Sequence, residues 1–264
     1  MAEPHLLIDR DGPVVTLTMN RPRARNAWSL EMIARLADAW EMVNTDPEVL
    51  VCILTGAGGT FCAGSDLKTM HRDNSDDPWQ QRFKDDPNLH WKAMLRGHRV
   101  VKPLIAAVEG FALAGGTEIL QATDIRVAGR SATFGLTEAK LGLFPLGGST
   151  VRLQRQIPYT KAMEILLMGK RFSAQEALDM GLIGTLVDDG LALERAREMA
   201  AVIAGNGPLA VQAIKKSIQE AASMTEEEGL ANELKLGWPV FKSEDAREGA
   251  RAFAEKRKPV FKGR

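Results

Sequence analysis

The stretch Leu104-Ile105-Ala106-Ala107-Val108-Glu109-Gly110-Phe111-Ala112-Leu113-Ala114-Gly115-Gly116-Thr117-Glu118-Ile119-Leu120 decides how this chain folds. Its first five residues form a continuous apolar run, which predicts a strand buried on both faces, as in a parallel sheet. Ala114-Gly115-Gly116 then opens a helix through about residue 123, and residues 124–128 return as a strand. This order of strand, loop, helix and strand argues for a layered α/β core. The run is also the most apolar in the sequence, but Glu109 and Glu118 break it and it is rich in glycine, so it does not read as a membrane span.

Outward from there the order repeats. Residues 13–19 read as a strand, closed by a turn at Asn20-Arg21-Pro22. Residues 29–43 place Leu30, Ile33, Leu36, Trp40 and Val43 at helical spacing. Residues 49–54 are a second buried strand, followed by the loop Gly56-Ala57-Gly58-Gly59. Residues 73–88 are polar and weakly periodic, so they read as an excursion or lid. From Pro145 onward the chain is mostly helical. Ser173-Ala174-Gln175-Glu176 and Thr225-Glu226-Glu227-Glu228 are capping-box patterns. Residues 182–187 are the one late strand, with helices expected over 191–203, 209–222 and 243–257. A composition shift near residue 200 divides an α/β core, 1–200, from a helical C-terminal subdomain, 201–264.

Composition excludes several classes. The 264 residues carry 34 basic and 34 acidic side chains, so no overall basic excess is available to displace counterions from nucleic acid. With 45% hydrophobic residues the chain is not a disordered polyelectrolyte. Cys52 and Cys62 cannot build a disulfide framework and read as buried thiols of a cytoplasmic protein. The N-terminus lacks a basic segment followed by a long apolar run, so no signal peptide is expected. His5, His71, His90 and His98 show no zinc-ligand spacing, so no metal is expected.

Several motifs come close and fail. Phe61 stands where a dinucleotide fingerprint beginning at Gly56 needs its third glycine, and Gly116 stands where a P-loop over residues 110–117 needs lysine. Gly147-Gly148-Ser149-Thr150-Val151 ends in valine, so it is not the elbow of a serine hydrolase. Cys62 follows a glycine-rich loop but has no histidine near it in sequence to activate it. What remains is a pair of glycine-flanked helix starts, at Phe61-Cys62-Ala63-Gly64-Ser65-Asp66-Leu67 and at Ala112-Leu113-Ala114-Gly115-Gly116-Thr117-Glu118. Each alone is what a tight turn would show. Converging on one point, their unpaired N–H groups would hold an oxyanion. Glu118 and Glu138 both sit among apolar residues, where a carboxyl is pushed toward neutral pKa and suits proton transfer. The alternatives are that Glu118 complements the helix dipole and Glu138 is solvated.

Five segments stand out together: Asn20-Arg21-Pro22 with Asn26-Ala27, Phe61 through Lys68, Ala106 through Ile119, Phe134-Gly135-Leu136-Thr137-Glu138, and Glu248-Gly249 with Ala252 through Arg257. They span nearly the whole length, and in their order and spacing the chain resembles the crotonase superfamily, the enoyl-CoA hydratase/isomerase family. The resemblance implies a crotonase (ClpP-like) spiral of ββα units with a helical C-terminal subdomain used for trimerisation. It also implies reversible hydration of a 2-enoyl-CoA, a step of fatty-acid β-oxidation. The N–H groups of Ala63 and Gly115 would form the oxyanion hole for the thioester carbonyl. Glu138 would exchange the proton at the α-carbon and share in activating water, and Glu118 would hold and polarise the water that attacks the β-carbon. Arg23, Ala24, Gly64, Ser65, Asp66, Leu67, Lys68, Gly116, Phe253 and Lys256 would bind substrate or CoA. No cofactor would be permanently bound; coenzyme A enters as part of the substrate, and neither nucleic acid nor membrane is a partner.

Within the family, having both glutamates favours hydration or its reverse over isomerisation. Glu138-Ala139-Lys140-Leu141-Gly142 and residues 243–264 look particularly like the carnitinyl-CoA dehydratase branch, although no clear aromatic cage for a quaternary ammonium group is visible. Leu146 stands where many hydratases have a smaller residue, which bears on pocket shape and acyl length. An isomerase and a non-catalytic acyl-CoA-binding homologue remain the alternatives. Family members assemble as trimers or dimers of trimers, for which Leu230, Leu234, Leu236, Trp238 and Phe241 would supply apolar surface, unless they belong to the core of the single chain. Neutral overall, the chain still clusters base: residues 251–264 hold Arg251, Lys256, Arg257, Lys258, Lys262 and Arg264 against Glu255, and Arg23, Arg25 and Lys68 flank the other expected CoA segments.

Overall fold

The computed structural model describes residues 3–67 and 77–264. The chain begins with β1 (Leu6–Asp11) and β2 (Val14–Met19), then α1 (Leu30–Thr45) and β3 (Val51–Gly56). Two short helices, α2 (Gln80–Asp85) and α3 (Leu89–Ala93), precede β4 (Leu104–Val108), β5 (Phe111–Leu113) and α4 (Gly115–Leu120). Next come β6 (Ile125–Gly129), β7 (Thr133–Gly135), α5 (Ser149–Arg152), α6 (Tyr159–Met168), β8 (Arg171–Ser173), α7 (Ala174–Asp179) and β9 (Thr185–Val187). Four helices close the chain: α8 (Ala192–Ala204), α9 (Pro208–Ala221), α10 (Glu226–Phe241) and α11 (Glu244–Ala254).

Six strands form one sheet in the order β1-β2-β3-β4-β6-β9, and β5-β7-β8 form a second. Only β1 runs antiparallel to its neighbour in the larger sheet; the others pair in parallel. Successive strands are dealt alternately to the two sheets, β4 then β5, β6 then β7, which is the winding of a ββα spiral. Cys62 bridges to Ala112 and Ser65 to Trp28, both in parallel. These bridges correct one expectation: residues 61–67 are an extended segment laid beside β5, not a helix start.

The continuous apolar runs of β3 and β4 are buried on both faces. Val51, Ile53, Ile105, Ala107 and Val127 meet α8, whose Ala192, Ala196 and Ala200 form an i, i+4, i+8 stripe small enough for close approach. The alternate residues Cys52, Leu54, Leu104, Ala106 and Val108 point into the main core with Phe61, Phe134 and Trp40. On α1, Ser29 caps the Met32 N–H and Trp40 donates its ring N–H to the Ala93 carbonyl at 3.0 Å, which ties α1 to α3 beside the site. Both expected capping boxes are present, at Ser173 and Thr225.

The strands missed by sequence have physical reasons. In β1 only Leu6 is buried, so an edge strand reads as polar chain. β5, β7 and β8 have three residues each, too few to show a period. At the other end, α10 packs on α9, and neither helix has a buried residue. Among the described residues no helix is long and apolar enough to cross a membrane.

Candidate active site

α4 starts at a strained residue. Ala114 has φ 49° and ψ −122°, a conformation a side chain rarely adopts, and its N–H donates to the Gly135 carbonyl at 2.7 Å. Such strain costs about 1–3 kcal/mol and persists only where surroundings over-determine it. Here β5 and β7 hold the residue on both sides, and the kink turns the first N–H groups of α4 toward the segment 61–67. That segment approaches closely because Gly64 has φ 89° and no side chain: a Cβ there would lie 2.8 Å from Ala114 Cβ and 3.1 Å from the Gly115 nitrogen. The two sequence motifs therefore do meet.

Which N–H groups are free differs from expectation at one position. Ala63 lines the cavity, but its N–H donates to the Arg25 carbonyl at 3.0 Å, so it is already spent. The Gly64 N–H donates to the Cys62 sulfur at 3.3 Å. The Ser65 and Gly115 N–H groups have no partner among the described residues, and Ser65 N lies 3.9 Å from where a Cβ on Gly115 would stand. Ser65 thus replaces Ala63 as the free donor opposite Gly115. The signal that would have found it is a long-range backbone pairing, which sequence does not display.

These donors open on a cavity of about 450 Å³. Ser65, Leu67, Gly115, Glu118 and Glu138 line it, together with His90 and Trp91 from α3, Met94 just after it, and Leu141, Leu143, Phe144, Leu146 and Gly147 from the segment before α5. The α3 residues follow the polar excursion and were not singled out by sequence. Leu146, noted for its size, does line the cavity.

Both carboxyls are buried. Glu118 Oε1 accepts the Ser149 N–H at 3.3 Å, and Gly147 packs so tightly that a Cβ there would fall 2.6 Å from Oε2 and overlap Met94 Cε. Burial raises the Glu118 pKa, opposed by hydrogen bonds from Ser149 and Gly147 and by the charge of Arg152. Glu138 Oε2 has no hydrogen-bond partner among the described residues. Burial, reinforced by the charge of Glu118, pushes Glu138 up to about 7, although its own N–H opposes the shift. The pair therefore has one member anchored to N–H donors and one member poised to gain or lose a proton near neutrality. Burial also lowers the His90 pKa, leaving a neutral ring edge-on to Trp91 at 5.0 Å.

The remaining expected residues are placed as follows. Arg23 and Ala24 lie in a 3-10 turn, Pro22–Ala24, stitched to the 61–66 segment by Trp28 N–H to Gly64 O at 2.9 Å and by Arg21 to Asp66 at 3.1 Å. Buried Asn26 holds the turn by donating to the Ala57 and Thr60 carbonyls. Asp66 thus helps to brace the turn. Gly116 faces the Cys62 carbonyl instead of the cavity. Phe253 and Lys256, at the end of α11, line none of the cavity, and Phe253 is 88% exposed. Lys68 lies outside the described residues, as does the 73–76 part of the expected lid. Cys62 is buried with its thiol pushed up to about 12, the opposite of an activated nucleophile.

Comparison with known proteins places the chain in a family. A family model described as Enoyl-CoA hydratase/isomerase matches residues 9–264. The chain is 54% identical over 261 residues, covering 99% of it and 97% of the relative, to the enoyl-CoA hydratase EchA19 of Mycobacterium tuberculosis. It is 37% identical, covering 98% of each, to the carnitinyl-CoA dehydratase of Salmonella typhi, so its likeness to that branch is the weaker of the two. The crystal structure of an enoyl-CoA hydratase from Mycobacterium tuberculosis H37Rv superposes with a TM-score of 0.90 at 41% identity, covering 99% of this chain and all of that one.

Proposed function

The chain belongs to the enoyl-CoA hydratase/isomerase family, and we propose that it acts as an enoyl-CoA hydratase through Glu118, Glu138 and the N–H groups of Ser65 and Gly115. The observation that carries this reading is the unequal glutamate pair facing two unspent backbone donors across one cavity.

The chemistry follows from the charges. Water adds to a double bond conjugated to the thioester: its oxygen bonds to the β-carbon, a proton reaches the α-carbon, and negative charge passes through the carbonyl oxygen on the way. N–H donors fixed by Ala114 and Gly64 stabilise that charge without reorganising, and losing one such donor costs roughly 3–4 kcal/mol. Glu118, held by Ser149 and Gly147, takes the proton from water as the oxygen attacks. Glu138, protonated near neutral pH, delivers its proton to the α-carbon. In dehydration the same groups run backward with their protons exchanged. The cavity walls, Trp91, Met94, Leu143 and Phe144, suit an apolar acyl group. The 22–24 turn, with Arg23 exposed, is the proposed approach for the CoA phosphates.

Purified protein mixed with crotonyl-CoA should bleach the absorbance of the conjugated thioester. E138Q should lose roughly 10²–10⁴-fold in kcat, the range for a lost general acid or base, while still binding acyl-CoA. A stable absorbance with the wild type would sink the hydratase reading, and near-wild-type kcat in E138Q would sink the role of Glu138.

A further inference from the structure

The two glutamates are chemically identical and both buried, yet hydration needs them in opposite protonation states at one pH. α5 holds a residue that separates them. Arg152 donates to the Leu95 carbonyl at 2.6 Å, to the Gly147 carbonyl at 3.3 Å and to the Met94 carbonyl at 3.5 Å. Leu95 and Met94 belong to the turn after α3, and Leu95 is itself left-handed at φ 53°. Gly147 belongs to the opposite wall. One planar guanidinium thus joins both walls of the cavity, a task that its fork geometry suits and an ammonium does not.

The wall it fixes is the one that holds Glu118. The Ser149 N–H reaches Glu118 Oε1, and Gly147 packs on Oε2. All three bonds from Arg152 go to carbonyls, so no carboxylate in contact cancels its charge among the described residues. Among the described residues, the charged and titratable groups around Glu118 are Glu138 from the turn after β7, His90 from α3, Arg152 from α5 and, behind Arg152, Arg96. Arg96 is occupied elsewhere, donating to the Leu146 carbonyl and lying 5.2 Å from the Trp91 ring centre.

We propose that Arg152 is the positioning residue that assigns the two glutamates their roles: it clamps the turn that orients Glu118 and sets a cation on that side of the pair. The inference rests on the hydratase reading given above. Arg152 touches no substrate; it acts through Glu118. Its charge opposes the rise that burial imposes on Glu118, and among the described residues no arginine or lysine does the same for Glu138. Removing the cation therefore moves Glu118 upward, and the ionised base is lost at a higher pH.

The test is the pH profile of kcat/KM with crotonyl-CoA for R152M and R152K, each checked for folding by thermal unfolding. In R152M the acidic limb should move up by about one pH unit, as expected for loss of a nearby opposite charge. KM should stay within about threefold, because the substrate contacts are untouched. R152K keeps the charge and loses the fork, so its limb should stay in place while kcat falls. In the E118Q background, adding R152M should cost less than about twofold more, since residues acting through one group are not additive. A wild-type limb in R152M, a shifted limb in R152K, or an undiminished R152M penalty on top of E118Q would each overturn the proposal. If R152M fails to fold, the R152K profile decides alone. An E118Q enzyme with near-wild-type kcat would instead overturn the hydratase reading beneath it.

Discussion

Among the described residues, Glu138 keeps a carboxyl oxygen without a partner in a cavity lined by Leu141, Leu143 and Phe144, and that isolation couples folding to pH. Its folded value of about 7 lies above the roughly 4.3 of an exposed glutamate. Between those values the folded chain binds the extra proton. The contribution is complete below the unfolded value and is lost as pH rises through the folded one. E138Q cannot ionise, so its melting temperature should gain on the wild type as pH rises from about 5 to about 8. Calorimetry across that window checks this; a constant gap would mean that Glu138 is not held protonated by the fold. At this scale Glu118, Glu138 and Gly115 were legible because a carboxyl in an apolar run, or a glycine pair at a helix start, is a local oddity. Ser65 was named from sequence only as a substrate or CoA contact; its place as the free donor was hidden, because whether Ala63 or Ser65 keeps its N–H free depends on the carbonyl of Arg25. Arg152 was not legible either, being an ordinary basic residue until Met94, Leu95 and Gly147 are brought around it.

Between elements, the site depends on how closely the 61–67 segment approaches α4. Gly64 permits it, with left-handed φ and room for no more than a hydrogen. G64A should be destabilised by about 1–3 kcal/mol from strain and overpacking, and should lose crotonyl-CoA turnover even where folded, since Gly115 is pushed away. Urea denaturation and the absorbance assay measure the two effects. Wild-type values for both would show that the approach is looser than 2.8 Å implies. The long elements were readable from sequence because β3 and β4 are unbroken apolar runs and α1 carries five apolar positions at helical spacing. The second sheet was hidden. It is built from three-residue strands, with a single bridge from Cys62 to Ala112 of β5. The segment before α4 was therefore misread as helical for a reason: its glycine is there for contact, not to begin a helix.

As a whole molecule, the single chain leaves a large apolar surface on α9 and α10. Ile214, Ile218, Leu230, Leu234, Trp238 and Phe241 are all more than half exposed, and Lys215 reaches from α9 to Asp124 at 2.6 Å and the Lys102 carbonyl at 2.8 Å. Patches of this kind mark protein interfaces. We expect a homo-oligomer, in keeping with the trimerising role proposed for residues 201–264, and the double variant W238E/F241E should sediment as a monomer. A monomeric wild type would remove that role. The catalytic cavity is built from elements before residue 153, so its chemistry is testable apart from assembly. In the proposed mechanism, backbone donors and Glu138 together make the α-carbon of an acyl-CoA acidic. Proton exchange at that carbon in a saturated thioester such as butyryl-CoA, followed by NMR in deuterated water, measures this without hydration. The wild type should exchange an α-proton and E138Q should not; equal exchange in both, or none in a wild type that hydrates crotonyl-CoA, would rule out Glu138 as the group that moves the α-proton.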